Sequence, residues 1–142
     1  MVETFVGLMI VLASGLASKQ VLIDEQPSLK VTIHHLEAYR EIIGLCTLLC
    51  GLLGIYHSLS TSLSNLYSPI YWLFWTVSNC IAICVGVNLT FILIKAQLPQ
   101  SYATLLALST VLKEKVERHP HLFCWLGLTL GSWRILYPWL GV

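Results

Sequence analysis

Two cysteine pairs, Cys46-Thr-Leu-Leu-Cys50 and Cys80-Ile-Ala-Ile-Cys84, are the residues of this sequence with the most chemistry to offer. Thiols four residues apart share one face of a helix, because four residues make about one turn. Counted outward from the uncharged stretch between the pairs, Cys46 matches Cys84 in depth and Cys50 matches Cys80. Four thiolates facing one another would suit a soft metal such as Cu(I) or zinc. As two dithiols they would suit disulfide exchange with a quinone or a partner. The competing reading is mechanical: cysteine is a small residue, and helices in lipid approach one another through small residues at four-residue spacing. Cys46, Cys50 and Gly54 fit that spacing, as do Ala82 and Gly86, Gly127 and Gly131, and Ala13 and Ala17. No CxxC or CxxCH motif accompanies the thiols, and a thiolate in an apolar setting is disfavoured by lost hydration. Packing is the favoured reading. No metal and no cofactor is assigned, and Cys46, Cys50, Cys80 and Cys84 stay as secondary metal candidates.

Other polar residues are few. Asn79, Asn88 and Thr90 fall inside one long apolar run, where they would bond across helices or line a path. Arg134 falls near the end of the last apolar run, placed to snorkel to a headgroup layer or to act as an intramembrane charge. His34, His35, His119 and His121 sit in charged connections and read as solvated. His57 sits near the end of an apolar run, where it could ligate a pigment axially, and nothing else in the sequence supports that role. The sequence offers no nucleophile–base pair, phosphate loop or paired intramembrane carboxylates. That argues against an enzyme and against an ion-coupled carrier, which would place acids deep in the membrane.

The elements that must carry these residues are apolar. The chain of 142 residues is 56% hydrophobic and 11% charged, with a mean hydropathy of +0.77. Soluble domains carry about 25% charged residues. The net charge of +1 and the lack of a basic tract leave nothing to hold nucleic acid. A helix needs about 20 residues to cross a bilayer core. Four runs, about 4–23, 42–59, 69–94 and 122–142, meet or approach that length. None alternates as a barrel strand does. The expectation is a single all-α integral membrane domain over 1–142 with four transmembrane helices. The start, MVETFVGL, carries Glu3 and no basic residue before its apolar core, so the first run reads as a retained span rather than a signal peptide.

The connections add detail. Residues 101–118 place Leu105, Leu108, Leu112 and Val116 at helical spacing, predicting an amphipathic helix on the inner surface. Residues 28–41 read the same way, with Ile33, Leu36 and Tyr39 or Arg40 as the face. Apart from Arg134, every Lys and Arg lies in the two long connections. The positive-inside rule puts those connections in the cytoplasm and both termini on the non-cytoplasmic side. Tyr56, Tyr67, Tyr71, Trp72, Trp75, Trp133, Tyr137 and Trp139 then form an outer aromatic belt. The ends of the second and fourth runs echo each other, Leu53-Gly-Ile-Tyr-His-Ser-Leu59 against Leu130-Gly-Ser-Trp-Arg-Ile-Leu136. The functional expectation is a structural or accessory subunit, self-assembled or joined to other membrane subunits within the lipid bilayer. The alternatives are a small oligomeric channel or exporter, and third a thiol protein.

Overall fold

The computed structural model describes residues 2–62 and 69–139, and those residues are helical throughout apart from short breaks. The helices are α1 (Val2–Ala17), α2 (Lys19–Glu25), α3 (Lys30–Glu37), α4 (Arg40–Ser62), α5 (Pro69–Gln97), α6 (Ala103–Arg118) and α7 (Pro120–Leu136). Short 3₁₀ turns, Pro27–Leu29, Gln100–Tyr102 and Tyr137–Trp139, join or end them. Prolines mark the breaks as expected: Pro99 precedes a 3₁₀ turn, and Pro120 opens α7 after His119. Tyr67, most of the Ser-rich connection and the last three residues of the fourth run lie outside the described residues.

Two helices, α4 and α5, are long and apolar enough to cross a membrane, with mean hydropathies of 1.9 and 2.2. The other two expected spans come out differently. The first run is broken at Ser18, and α1 and α2 meet at 84°. Gly15 and Ser18 lie at the break, the kind of pair at which helices kink. Leu22 folds back to within 3.1 Å of where a Gly15 Cβ would stand, and the Ser18 hydroxyl donates to the Pro120 carbonyl at 3.0 Å. The bend therefore ties the end of α1 to the start of α7. The fourth run forms a helix of only 17 residues before it tightens at Tyr137, about 25 Å long.

The architecture is two antiparallel pairs, α4 with α5 and α1 with α7, with α5 touching α1, α4, α6 and α7. Small residues set both pairings. A Cβ on Gly7 would stand 2.7 Å from the Gly131 carbonyl oxygen, and one on Gly131 would stand 2.7 Å from Val11 Cγ2. A Cβ on Gly127 would collide with the Ser14 side chain. On α4 the seam is Gly44, Thr47, Gly51, Gly54 and Ser58, spaced alternately three and four residues apart. That is the period of a left-handed pairing. Gly44 lies against Leu89 and Thr90, Gly51 against Ile83 and Asn79, and Gly54 against the Asn79 amide, while Gly86 of α5 meets Leu48. The expected stripe Cys46–Cys50–Gly54 is thus rotated, sharing only Gly54. At so close an approach a glycine fits where a thiol does not.

A core forms from Ala13, Leu16, Ile33, Ile43, Ile81, Val85, Leu89 and Leu130, with Ala17 packed beside it. Val6, Ile10 and Ala82 make a second cluster with Cys50 against it. The β-branched stretch of α3 stays helical because Ile33 is captured by this core. Leu36 follows it and is half-buried, while Tyr39 is exposed. Lys19 bridges to Glu37 at 2.5 Å, linking α2 to α3 and holding the Glu37 carboxyl below the usual range. The helix predicted over 101–118 is present as α6, docked on α5 through buried Ser109 and Val116, with Lys113 Nζ 4.7 Å from the Phe91 ring centre. Of the face predicted to lie on the membrane surface, Leu105 and Leu108 are exposed, Leu112 is half-buried and Val116 is buried.

Gly127→Leu should force α1 away from α7. We expect a loss of roughly 1–3 kcal/mol or more, the range for overpacking a tight contact. The exposed control Leu53→Ala should stay within about 0.5 kcal/mol. Thermal unfolding midpoints in mild detergent measure both.

Candidate functional site

The cysteine pairs do not converge. Gly86 against Leu48 and Gly44 against Leu89 fix the hairpin register. Cys50 is therefore level with Cys84, one turn away from the depth matching expected from the sequence. The faces also diverge. Cys50 lines a cavity on the α1 side, Cys80 is exposed, and Cys84 has Lys115 of α6 among its electrostatic neighbours. Cys46 is half-buried and Cys124 is buried in α7. Among the described residues, no three His, Cys, Asp or Glu side chains are grouped to hold a metal ion.

What the fold does bring together is a charge cluster around Arg134. The side chain is 2% exposed, so it does not snorkel outward as the sequence suggested. Its Nε and Nη2 donate to Glu3 Oε2 at 3.1 and 2.8 Å. Its Nη1 donates to Asn79 Oδ1 at 2.8 Å and, at the long limit of 3.4 Å, to Ser78 Oγ. The Trp75 ring lies under the guanidinium, 4.2 Å from its carbon. An always-charged group is tolerated inside a bundle only when paired and hydrogen-bonded, and these contacts meet that demand from two helices, α1 and α5.

Local structure assists. Glu3 lies in the first turn of α1 and Arg134 in the last turn of α7. Each therefore sits at the helix end whose dipole favours its charge. The antiparallel glycine contacts of α1 and α7 set the two termini side by side. Gly54, by lacking a Cβ, lets the Asn79 amide lie against α4.

The cluster forms one wall of a cavity of about 620 Å³ between the starts of α1 and α5 and the ends of α4 and α7. Its lining is mainly apolar and aromatic, with Phe5, Val6, Leu53, Tyr71, Trp75 and Tyr137, and it includes Glu3, Cys50, His57 and Arg134. Aromatic rings stack behind it: Tyr71 lies 4.9 Å from Tyr137, and Trp133 lies 5.1 Å from Tyr137 and 5.8 Å from Phe74. Volume and lining match small-molecule sites, which run roughly 300–1,000 Å³. Three buried donors at this end, Ser58 Oγ, Trp75 Nε1 and Asn79 Nδ2, have no hydrogen-bond partner among the described residues.

Two of the remaining polar residues, Thr47 and Thr90, are engaged within the chain. Thr90 donates to the Gly86 carbonyl at 2.7 Å, and Thr47 donates to Ile43 at 2.7 Å and reaches Met9 of α1 at 3.3 Å. Asn88 is 5% exposed in the middle of the buried run Val85–Thr90. The small residues are likewise used between helices of one chain, Gly127 and Gly131 against α1 and Gly86 against α4. Both basic residues of the internal echo, His57 and Arg134, line the same cavity.

Glu3 is the residue that sequence reasoning passed over. A signal was available: Glu3 is the one Asp or Glu, and Arg134 the one Lys or Arg, outside the two charged connections. No protein-family model, curated protein or solved structure matches this chain.

Removing one partner of a buried ion pair leaves the other charge uncompensated, at a cost of about 3–5 kcal/mol. Glu3 is partly exposed, at 29%, so Glu3→Gln should fall at or below the low end and Arg134→Ala at or above it. The double variant should lose less than the sum of the two. Unfolding free energies of the four proteins in one detergent give the coupling directly.

Proposed function

We propose that this chain is a membrane-embedded binding module whose working part is the cleft beside Arg134. One observation carries the reading: a guanidinium that is 2% exposed forms the wall of a mostly apolar cavity of about 620 Å³. Keeping a permanent charge there is costly unless the site uses it. Binding is favoured over catalysis because the cluster is made of a capped cation and hydrogen-bond donors. In this reading the module stands alone or serves as an accessory subunit in a larger membrane assembly. The small-residue seams, expected from the sequence to drive assembly between chains, are occupied inside one chain, which supports a monomeric unit. A channel reading gains nothing from α5, since Asn79 faces Arg134 and Thr90 bonds its own backbone.

In the same reading α1 and α7 enter the bilayer beside the α4–α5 hairpin, giving four inserted helices with both termini on the non-cytoplasmic side. The distribution of Lys and Arg supports this orientation. A reporter fused after Val142 should be active outside the cytoplasm, and a cytoplasmic signal would reverse the topology. Native mass spectrometry of protein extracted gently from its own membrane tests the binding reading. The expected particle carries one copy of the chain and a small-molecule adduct that leaves on unfolding. A fixed homo-oligomer carrying no adduct would contradict it.

A further inference from the structure

We propose that the cleft takes an anionic amphiphile, a molecule with one acidic headgroup on an apolar chain, and that Glu3 holds the headgroup's position until the ligand displaces it. This rests on reading the cleft as a binding site and adds the charge class of the ligand.

At the polar wall the donors are the Arg134 guanidinium and Trp75 Nε1, and Asn79 Nδ2 lies buried behind them. Arg134 is matched by Glu3 and by Asn79 Oδ1. The indole and amide nitrogens are buried and have no acceptor among the described residues. Leaving such a donor unsatisfied costs about 1–3 kcal/mol, and a native structure that keeps two of them beside one cation needs a reason. Trp75 and Asn79 are four residues apart on α5, so they lie on one face of that helix, with the guanidinium against both. A ligand group that satisfies a cation and the neutral Trp75 donor beside it is rich in acceptors and negatively charged. Carboxylate, phosphate and sulfate headgroups share that chemistry.

Glu3 behaves as the internal stand-in for such a group. Both of its bonds to Arg134 end on one oxygen, Oε2. It comes from the first turn of α1 and is 29% exposed, while Arg134 is 2% exposed. The cation is therefore fixed in the bundle, and its counter-ion sits at the bundle's edge, where fraying of one helical turn releases it. The headgroup would come to lie on Arg134 as Glu3 moves out to solvent, so the cation never stays unpaired. The rest of the cavity sets the other half of the ligand. Phe5, Val6 and Leu53 offer only apolar surface, which suits an alkyl chain and offers a free inorganic anion nothing.

The test uses the full chain in nanodiscs of zwitterionic lipid, with dodecyl phosphate, dodecyltrimethylammonium, dodecyl maltoside and inorganic phosphate as probes. Affinity is read from tryptophan fluorescence and from the shift in unfolding temperature. Dodecyl phosphate should bind, and the other three should bind far more weakly. Glu3→Gln should tighten dodecyl phosphate by about tenfold, as removal of a competing anion predicts, and the probe should restore the stability that this variant loses. Arg134→Gln should weaken binding by about tenfold or more, the loss of a charged hydrogen-bonding partner. If that variant does not fold, two others keep the test open. Trp75→Phe removes one donor and keeps the ring, and Leu53→Trp fills the cavity from a position 69% exposed. Both should weaken the probe severalfold.

Equal binding of the cationic or neutral probe, still blocked by Leu53→Trp, would overturn the anionic class and leave the cleft reading standing. Binding of every probe unaffected by Leu53→Trp would overturn both. Tight binding of inorganic phosphate alone would show a free-anion site and overturn the amphiphile.

Discussion

A guanidinium cannot shed its charge, and everything around Arg134 follows from that constraint. Burial to 2% exposure removes it from water, and only a counter-charge and directed acceptors can compensate. The acid comes from the start of α1, the amide from α5 and the cation from the end of α7. The three helices are thereby fixed in register at one end of the bundle. A slip of one residue along α1 would swing Glu3 about 100° around the helix and leave the charge unpaired.

Close approach makes that convergence possible. The salt bridge needs α1 and α7 near enough for short bonds, and Gly7, Gly127 and Gly131 allow it. At the other end, the bend at Ser18 and its hydrogen bond to Pro120 hold the same two helices together. The α4–α5 pair follows a parallel logic, with Gly44, Gly51, Gly54 and Gly86 bringing the backbones together. α5 is then enclosed from several sides, which accounts for the continuous buried run Val85–Thr90. Above that run α1 and α4 part, and the cavity opens in the gap.

Much of this is written locally in the sequence. The helical class, the α4–α5 hairpin, α6 between Pro99 and Pro120, and the glycine pair on α7 follow from composition, spacing and punctuation. The kink at Ser18 was hidden because the polar residues Ser18, Lys19 and Gln20 are flanked by apolar sequence on both sides, and an averaged hydropathy over residues 4–23 does not register a change of direction. The seam on α4 was misplaced because four-residue spacing selected Cys46 and Cys50. The true seam alternates steps of three and four, and Gly44 and Gly51 fit it better. The cysteine site did not form for the same reason, since the thiols point to different neighbours. The site that did form pairs residues 131 positions apart, and no local pattern encodes such a contact. Its trace was compositional: one carboxylate and one Arg, with no Lys, outside the charged connections.

The central claim is that Arg134 is sealed inside the bundle by Glu3 and Asn79 rather than reaching to a surface. Side-chain NMR of protein labelled with ¹⁵N at arginine measures this most directly, with exposed Arg118 as the internal reference. The account predicts an Arg134 Nε–H resonance protected from exchange with water near neutral pH, with the protection reduced by Glu3→Gln. Exchange as fast as that of Arg118, unaltered by Glu3→Gln, would contradict it.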